Sequence, residues 1–402
     1  MRKGGARMDL TSCFRGRTVL VTGHTGFKGS WLCEWLLLLG ARVVGVSLPA
    51  DPDIDPCYTT PYAHFDQLDL SRRLTAHIEA DVRDGAALHE AVRCHRPDFV
   101  FHLAAQPLVL RGYREPRWTV ETNVIGTLNV LEAVRQAAAP CVVIAITTDK
   151  VYANRNWDCA YRETDPLGGH DPYSASKAAA EHVIASYWAS FFAPAVQELG
   201  IGVAAARGGN VIGGGDWAAD RIVPDTLRHL AEGRPVPLRN PGATRPWQHV
   251  LELLGGYLHL ARSIALSIEA ARAGDEAGRR RLEELCSPFN FGPALDSNRS
   301  VGELVEEIMR HWPGEIRDAS VCGAPKEAGK LNLSIDQAWH VLGWRPQWEF
   351  HQTVRETVAW YRAFYTHARG DPSAVQALTQ EQIERFTAGM RYDAPAATVG
   401  GG

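Results

Sequence analysis

Apolar residues in the first half of this chain fall in short continuous runs, not in strict alternation. Thr18-Val-Leu-Val-Thr22, Arg42 to Ser47, His77 to Ala80, Phe99 to Leu103 and Val142 to Thr147 are the clearest. Runs of that length, rich in Val, Ile and Phe, predict strands buried on both faces, as in a parallel sheet. Helical spacing fills the gaps between them, over Phe27 to Leu39 with Gly40 as a stop, and near 84–94, 117–139 and 175–192. Strands alternating with helices predict βαβ units and an α/β fold, a doubly wound parallel sheet. The pattern loosens after about residue 208, where Gly213 to Gly215, Pro235, Pro237, Pro241 and Pro246 punctuate shorter elements. The expected organisation is a flexible leader at 1–15, the sheet domain at 16–207, a smaller C-terminal domain at 208–365 interleaved with it, and an extension at 366–402 whose end is loose. Residues 266–286, charged and Ala-rich, predict one surface helix.

Composition narrows the class. With 402 residues, 45% hydrophobic and 22% charged, the chain suits a large globular enzyme. A net charge of −4 offers no basic excess for phosphate backbones, so no nucleic-acid partner is expected. Arg279-Arg280-Arg281 is followed by Glu283-Glu284 and reads as a solvated helix face. The apolar run Trp31 to Leu39 is too short to span a bilayer and contains Glu34, so no membrane partner is expected. The N-terminus shows no apolar signal segment. The eight cysteines (13, 33, 57, 94, 141, 159, 286 and 322) form no C-x-x-C pair and no metal-ligand spacing. No metal is expected, and the thiols suit a reducing, cytoplasmic setting.

Gly23-His24-Thr25-Gly26-Phe27-Lys28-Gly29 follows the first strand and opens the first helix. In that position glycines let backbone approach a pyrophosphate, and the helix N-terminus offers it free N–H groups and partial positive charge. The expected fold is therefore a Rossmann-type dinucleotide domain. The acidic residue that often closes the second strand and holds the adenosine ribose is absent; about Ser47 stands there, with no Arg or Lys to hold a 2′-phosphate. NAD is expected over NADP. Asp81 and Val82, after the third strand, suit an adenine contact. Leu103, Ala104, Ala105 and Gln106, after the fourth, leave room for close approach to the cofactor, and Thr147 ends the fifth strand beside it.

Lysine is scarce, 6 against 36 arginines, and three of the six (Lys28, Lys150, Lys177) lie inside motifs. Arg stays charged at every accessible pH, whereas Lys can be tuned to give up its proton. Thr148 ends a strand at the expected carboxyl edge of the sheet, and Tyr173 starts a helix that sets Lys177 one turn on, on the same face. A phenol titrates near about 10, and a neighbouring ammonium favours its phenolate, so Tyr173 can act as a base. Thr148 can hold the same substrate hydroxyl, and Lys177 can bond the nicotinamide ribose.

Those motifs, with His102 to Pro107, Thr148 to Tyr152, Gly168 to Ser174, Arg207 to Trp217, Arg221 to Asp225, Arg245 to Val250 and Asn290 to Pro293, resemble the CDP-glucose 4,6-dehydratases of the extended short-chain dehydrogenase/reductases. The resemblance runs from about residue 16 to 365 and implies a substrate-binding role for the region after 208. It implies that Tyr173 takes the C4 hydroxyl proton of a CDP-sugar as the C4 hydride passes to NAD. Water then leaves from C5 and C6, and the hydride returns to C6. Asp149 and Lys150 stand where the family has the acid for the C6 hydroxyl and the base at C5. The related dTDP-glucose enzymes carry Glu in place of Lys150, so the CDP branch is favoured. An adjacent Asp and Lys would rather be carboxylate and ammonium, and Lys150 as an electrostatic stabiliser of an enolate is the other reading. Arg207, Asn210, Arg221 and Arg245 are candidates for the nucleotide and its diphosphate. The resemblance also implies a homodimer paired through helices around 118–136 and 174–192. Departures occur at Lys326 to Lys330 and at Leu333-Ser-Ile-Asp336. The rival is a nucleotide-sugar 4-epimerase, which shares Tyr173, Lys177 and Thr148 but has no use for Asp149-Lys150, or a dehydratase acting on another NDP-hexose.

Overall fold

The computed structural model describes residues 9–49, 63–218, 221–319 and 331–390. Its centre is a sheet of seven parallel strands: β1 (Thr18–Thr22), β2 (Arg42–Ser47), β3 (Ala76–Glu79), β4 (Phe99–His102), β5 (Cys141–Ile146), β6 (Ile201–Gly208) and β7 (Phe289–Phe291). They lie in the order β7-β6-β5-β4-β1-β2-β3, so the chain reverses direction across the sheet between β1 and β4. The main helices are α1 (Phe27–Leu38), α2 (Gly85–His95), α3 (Gly126–Ala137), α4 (Pro172–Tyr187), α5 (Val250–Arg272), α6 (Phe350–Ala363) and α7 (Pro372–Gly389).

Alternation along each strand divides the core. Val19 and Val21 of β1 face one apolar cluster, filled by α1, α5, α6 and α7, while Leu20 faces another beneath α2, α3 and α4. Both faces of the sheet are thus covered, which is why the strands read as unbroken apolar runs.

Some elements depart from the expected boundaries. The helix expected at 117–139 is Pro116–Val120, a π-turn at Glu121–Ile125, and then α3. The helix expected from 175 begins at Pro172, because Asp171 accepts from the Ser174 N–H at 3.0 Å and Pro suits the first turn. It ends in a second π-turn, Trp188–Phe192. The single helix expected at 266–286 is two. Gly274, at φ +86°, breaks the chain after α5, and Asp275 caps Glu276–Leu285 with its carboxylate on the Ala277 N–H at 2.9 Å. β6 and β7, not anticipated individually, complete the sheet, with α5 packed over β5 and β6. Leu10 and Phe14, in the stretch expected to be a flexible leader, are buried, with Phe14 against Phe99 at 4.8 Å. Within the expected extension, α7 buries Val375, Ile383 and Phe386, the last against Trp35 of α1 at 5.8 Å. The loose end expected after it, Asp51, Cys57, Cys322 and the Lys326 to Lys330 departure lie outside the described residues.

One charged pair sits inside this core. Arg207 of β6 donates through Nε to Glu181 Oε1 of α4 at 2.8 Å, with both side chains almost fully buried. Thr147 donates to the same carboxylate at 2.6 Å, and Arg207 Nη1 donates to Tyr152 Oη at 2.7 Å. Tyr152 in turn donates to Asn290 of β7 at 2.7 Å. Arg207→Met would leave the Glu181 carboxylate buried without its counter-charge, at a cost of about 3–5 kcal/mol. Chemical denaturation checks this, with Arg207→Met/Glu181→Leu expected to recover most of the loss; a single variant within 1 kcal/mol of the parent, on the order of experimental scatter, removes the pair from this role.

Candidate active site

Beyond the carboxyl ends of the paired strands β1 and β4, where the strand order reverses, lies a cleft, the usual place for a ligand in an open α/β fold. The Gly23 to Gly29 loop forms one wall. Gly23 has φ +71°, and a Cβ there would stand 2.7 Å from the Ala104 nitrogen, so the loop meets the Leu103 to Ala105 turn backbone to backbone. α1 begins at Gly26 with no side-chain cap and no acid in its first turn, which leaves its N–H groups for an anion. Where a ribose-binding acid would close β2, Ser47 shares a 2.7 Å hydrogen bond with Thr25. Asp81 and Val82 border that end of the cleft, and Thr147, Tyr173 and Lys177 border the other. This geometry fits a dinucleotide: a cradle of glycines at its middle, a helix N-terminus for its diphosphate, and titratable groups at one end.

The expected reaction centre is brought together. Pro172 to Lys177, in the first turns of α4, place Tyr173 and Lys177 on the face toward β5, where Lys177 Nζ donates to the Ile146 carbonyl at 3.1 Å. Burial, helped by the Lys28 ammonium, brings the Lys177 pKa down to about 7. Burial pushes Tyr173 up to about 12, against a hydrogen bond shared with Thr148. Thr148 caps the turn Asp149–Val151, accepting from the Lys150 N–H at 3.3 Å and donating to Asp149 Oδ1 at 2.9 Å. Burial raises the Asp149 carboxyl above the ordinary carboxylate range, although Lys150, Thr148 and Arg245 pull the other way. Lys28, in the glycine loop, falls to about 8 through burial and the nearby Arg221 charge.

Of the other expected residues, several lie outside the cleft. Arg207, expected at the diphosphate, is turned into the core, because Glu181 needs a counter-charge there. His24 lies under the loop with Nε2 2.7 Å from His77 Nδ1, and burial takes its pKa to about 3. Gln106 also turns inward, donating to Thr119 at 2.9 Å. Asn210 contributes its carbonyl to the Gln248 N–H at 3.2 Å. Arg245 bonds the Thr244 carbonyl at 2.8 Å and bears on Asp149 by its charge, while Arg221 borders the cleft and pairs with Asp216 at 3.0 Å. Sequence reading missed His64, which lines the cleft beside Gly215 and Trp217. Its partners are remote in sequence, so no motif marked it.

The buried lysine gives a pH signature. The Lys177 pKa falls from its ordinary 10.5 to about 7, so the unfolded chain binds more protons between those limits. Stability of the cofactor-free protein therefore rises with pH across that window. Denaturation of the parent and of Lys177→Met at pH 7 and pH 9 should show about 2 kcal/mol more gain in the parent; equal gains would place the proton elsewhere.

Comparison with known proteins agrees with this geometry. The family model described as GDP-mannose 4,6 dehydratase matches residues 20–357. The CDP-glucose 4,6-dehydratase of Salmonella typhimurium is 41% identical over 354 residues, covering 87% of this chain and 92% of the relative. A probable dTDP-glucose 4,6-dehydratase of Sinorhizobium fredii is 28% identical, covering 85% and 92%. Among solved structures, the NAD-bound dTDP-glucose 4,6-dehydratase of Streptomyces venezuelae aligns with a TM-score of 0.64 at 24% identity, covering 86% of this chain and 97% of that one. The UDP-glucose 4-epimerase of Thermotoga maritima gives 0.66 at 21% identity, covering 86% and 98%, and shares the fold. From its glycine loop to α6, this chain belongs to the nucleotide-sugar 4,6-dehydratase family.

Proposed function

We propose that this protein converts CDP-glucose to CDP-4-keto-6-deoxyglucose with NAD held in the cleft. The observation that carries the reading is the Thr148-Asp149-Lys150 turn beside Tyr173, with Asp149 biased by burial toward its protonated form. A 4-epimerase needs only the tyrosine, lysine and threonine; an acid and a base beyond them serve elimination. The 41% identity to a CDP-glucose enzyme, against 28% for a dTDP-glucose relative, supports the cytidine nucleotide.

NAD, when bound, supplies the acceptor for the C4 hydride and its donor to C6. Tyr173 Oη takes the C4 hydroxyl proton as a phenolate, a form that burial alone disfavours and that the charges of Lys177 and Lys28, restored when a diphosphate binds, would favour. Lys150 faces C5 as the base, and Asp149 gives a proton to the departing C6 hydroxyl, which leaves as water. The C5 proton is returned once C6 is reduced. At that point Tyr173 holds one extra proton and Asp149 lacks one. Thr148, bonded to both, joins the two groups by a single hydroxyl, and a proton passed through it restores the starting state. Asp149 protonated donates to Thr148, which frees the threonine proton for Tyr173; the reverse orientation holds when Asp149 is a carboxylate.

The reading extends to assembly and location. Leu110, Tyr113, Val120, Ile125 and Phe191 are exposed on the segments leading into α3 and out of α4, the surface a homodimer would cover. Among the described residues no helix is long and apolar enough to cross a membrane and the cysteines are free, which supports a cytoplasmic setting.

Incubation with CDP-glucose, dTDP-glucose and GDP-mannose, read by the alkaline absorbance of a 4-keto sugar, tests the substrate: CDP-glucose should turn over best. Preference for dTDP-glucose overturns the nucleotide, and a 4-epimer without keto product overturns the reaction class. Lys150→Met should keep NAD but lower turnover by about 10²–10⁴-fold, the usual worth of a general base. Full turnover in that variant removes Lys150 from the elimination.

A further inference from the structure

The cofactor cleft has a wall from the middle of the chain that is braced by residues far along it. Its far side is the segment Gly213 to Ala218, of which Gly215, Asp216, Trp217 and Ala218 border the cleft together with Ala63 and His64. Nothing in that segment is free to choose its position. A Cβ on Gly214 would run into the Trp360 ring, and one on Gly215, at φ +75°, would stand 2.5 Å from His64 Cγ. Trp31 of α1 donates to the Gly214 carbonyl at 2.8 Å, and Tyr361 donates to the Asp216 carbonyl. Trp217 packs among Trp360, Tyr361 and Phe364, with ring centres 6.3, 5.2 and 5.0 Å away.

His64 is the piece between this wall and the glycine loop, and its hydrogen bonds have one consistent direction. Ser30, in the first turns of α1, donates its proton to the Phe27 carbonyl at 2.9 Å. Its oxygen must therefore accept from His64 Nδ1, at 2.9 Å. Full burial keeps the imidazole neutral, its pKa drawn down to about 3, so Nε2 is bare and must accept. The donor is the Thr379 hydroxyl of α7, 3.2 Å away. Thr379 in turn accepts from Trp360 Nε1 at 3.2 Å. The order Trp360 to Thr379 to His64 to Ser30 to Phe27 uses each proton once.

We infer that α7 is a clasp for the cofactor cleft, with Thr379 as the positioning residue that sets His64 and, through it, both walls. This rests on the reading that the cleft holds NAD. Thr379 is itself fully buried, so it touches no ligand and acts only through His64 and Trp360.

Thr379→Val preserves shape while removing both donor and acceptor, and leaves His64 Nε2 and Trp360 Nε1 unpartnered. Its Kd for NAD, measured by calorimetry on protein freed of cofactor, should rise about tenfold, the worth of one buried hydrogen bond. Thr379→Ser restores the hydroxyl and should restore affinity. A Thr379→Val protein that binds NAD like the parent, whatever its melting temperature, overturns the clasp, as does a Thr379→Ser protein that stays weak. Linkage supplies a second measurement needing no variant: what α7 does for NAD, NAD must do for α7. Amide exchange across residues 372–389 of the parent should slow when NAD is added, and unchanged exchange there with NAD bound overturns the clasp. A parent that binds no NAD at all overturns the cofactor reading instead.

Discussion

The helix that carries Tyr173 and Lys177 does not hold its place by apolar packing alone, because its buried face is half polar: Ser174, Ser176, Lys177 and Glu181 lie there beside Tyr173, Ala178, Ala180 and Ile184. The Glu181 carboxylate resolves the difficulty. It meets Arg207 of β6 and Thr147 at the end of β5, and the guanidinium reaches on to Tyr152 and so to Asn290 of β7. Three strands and one helix are thereby locked in register at the sheet edge where reaction is proposed. A charged pair so deep is costly to assemble, but once assembled it tolerates no sliding, since each displaced donor would face an unsolvated carboxylate. The positions of Tyr173, Lys177 and Thr148 follow from that lock. Ser176 adds to it by accepting from Asn123 at 2.9 Å across the helix pair.

Desolvation is the common cause behind the electrostatics of the cleft. It depresses Lys177 and Lys28, and raises Asp149 and Tyr173. Cations at the edge of neutrality beside an acid reluctant to ionise form an environment in which small changes of bound charge move protons. A diphosphate brought to the α1 N-terminus would push the lysines back toward their charged forms, so ligand binding and protonation are coupled.

Much of this was legible in the chain, for reasons that also explain what was not. β1 to β5 announce themselves because each is a compact apolar run between turns, and the glycine loop because its position after β1 restricts its use. The Tyr173/Lys177 pair is a local motif that gains weight from the glycine loop before it, whereas the roles expected of Asp149 and Lys150 came from the family resemblance. β6, rich in Ala and Gly, and β7, three residues long, carry little local signal. α5 is buried around its whole first half, so it lacks the polar stripe that reveals a helix. Arg207 was misjudged because a guanidinium suits a phosphate and a buried carboxylate equally, and only Glu181, 26 residues away, decides between them. His64 was invisible because Ser30 and Thr379, which define it, lie 34 and 315 residues away.

The distance between those partners has a consequence for biosynthesis. The Gly23 to Gly29 loop leaves the ribosome long before Trp360 and Thr379, on which the wall opposite it leans. Until α7 has emerged, the nascent chain can assemble β1 to β6 and bury most of its core, but the cleft lacks one of its supports. By the clasp inferred above, full affinity for the cofactor is thus placed after α7 has emerged. A message cut short before α7 would yield a protein with the proposed reaction centre and, by that inference, a weaker hold on NAD.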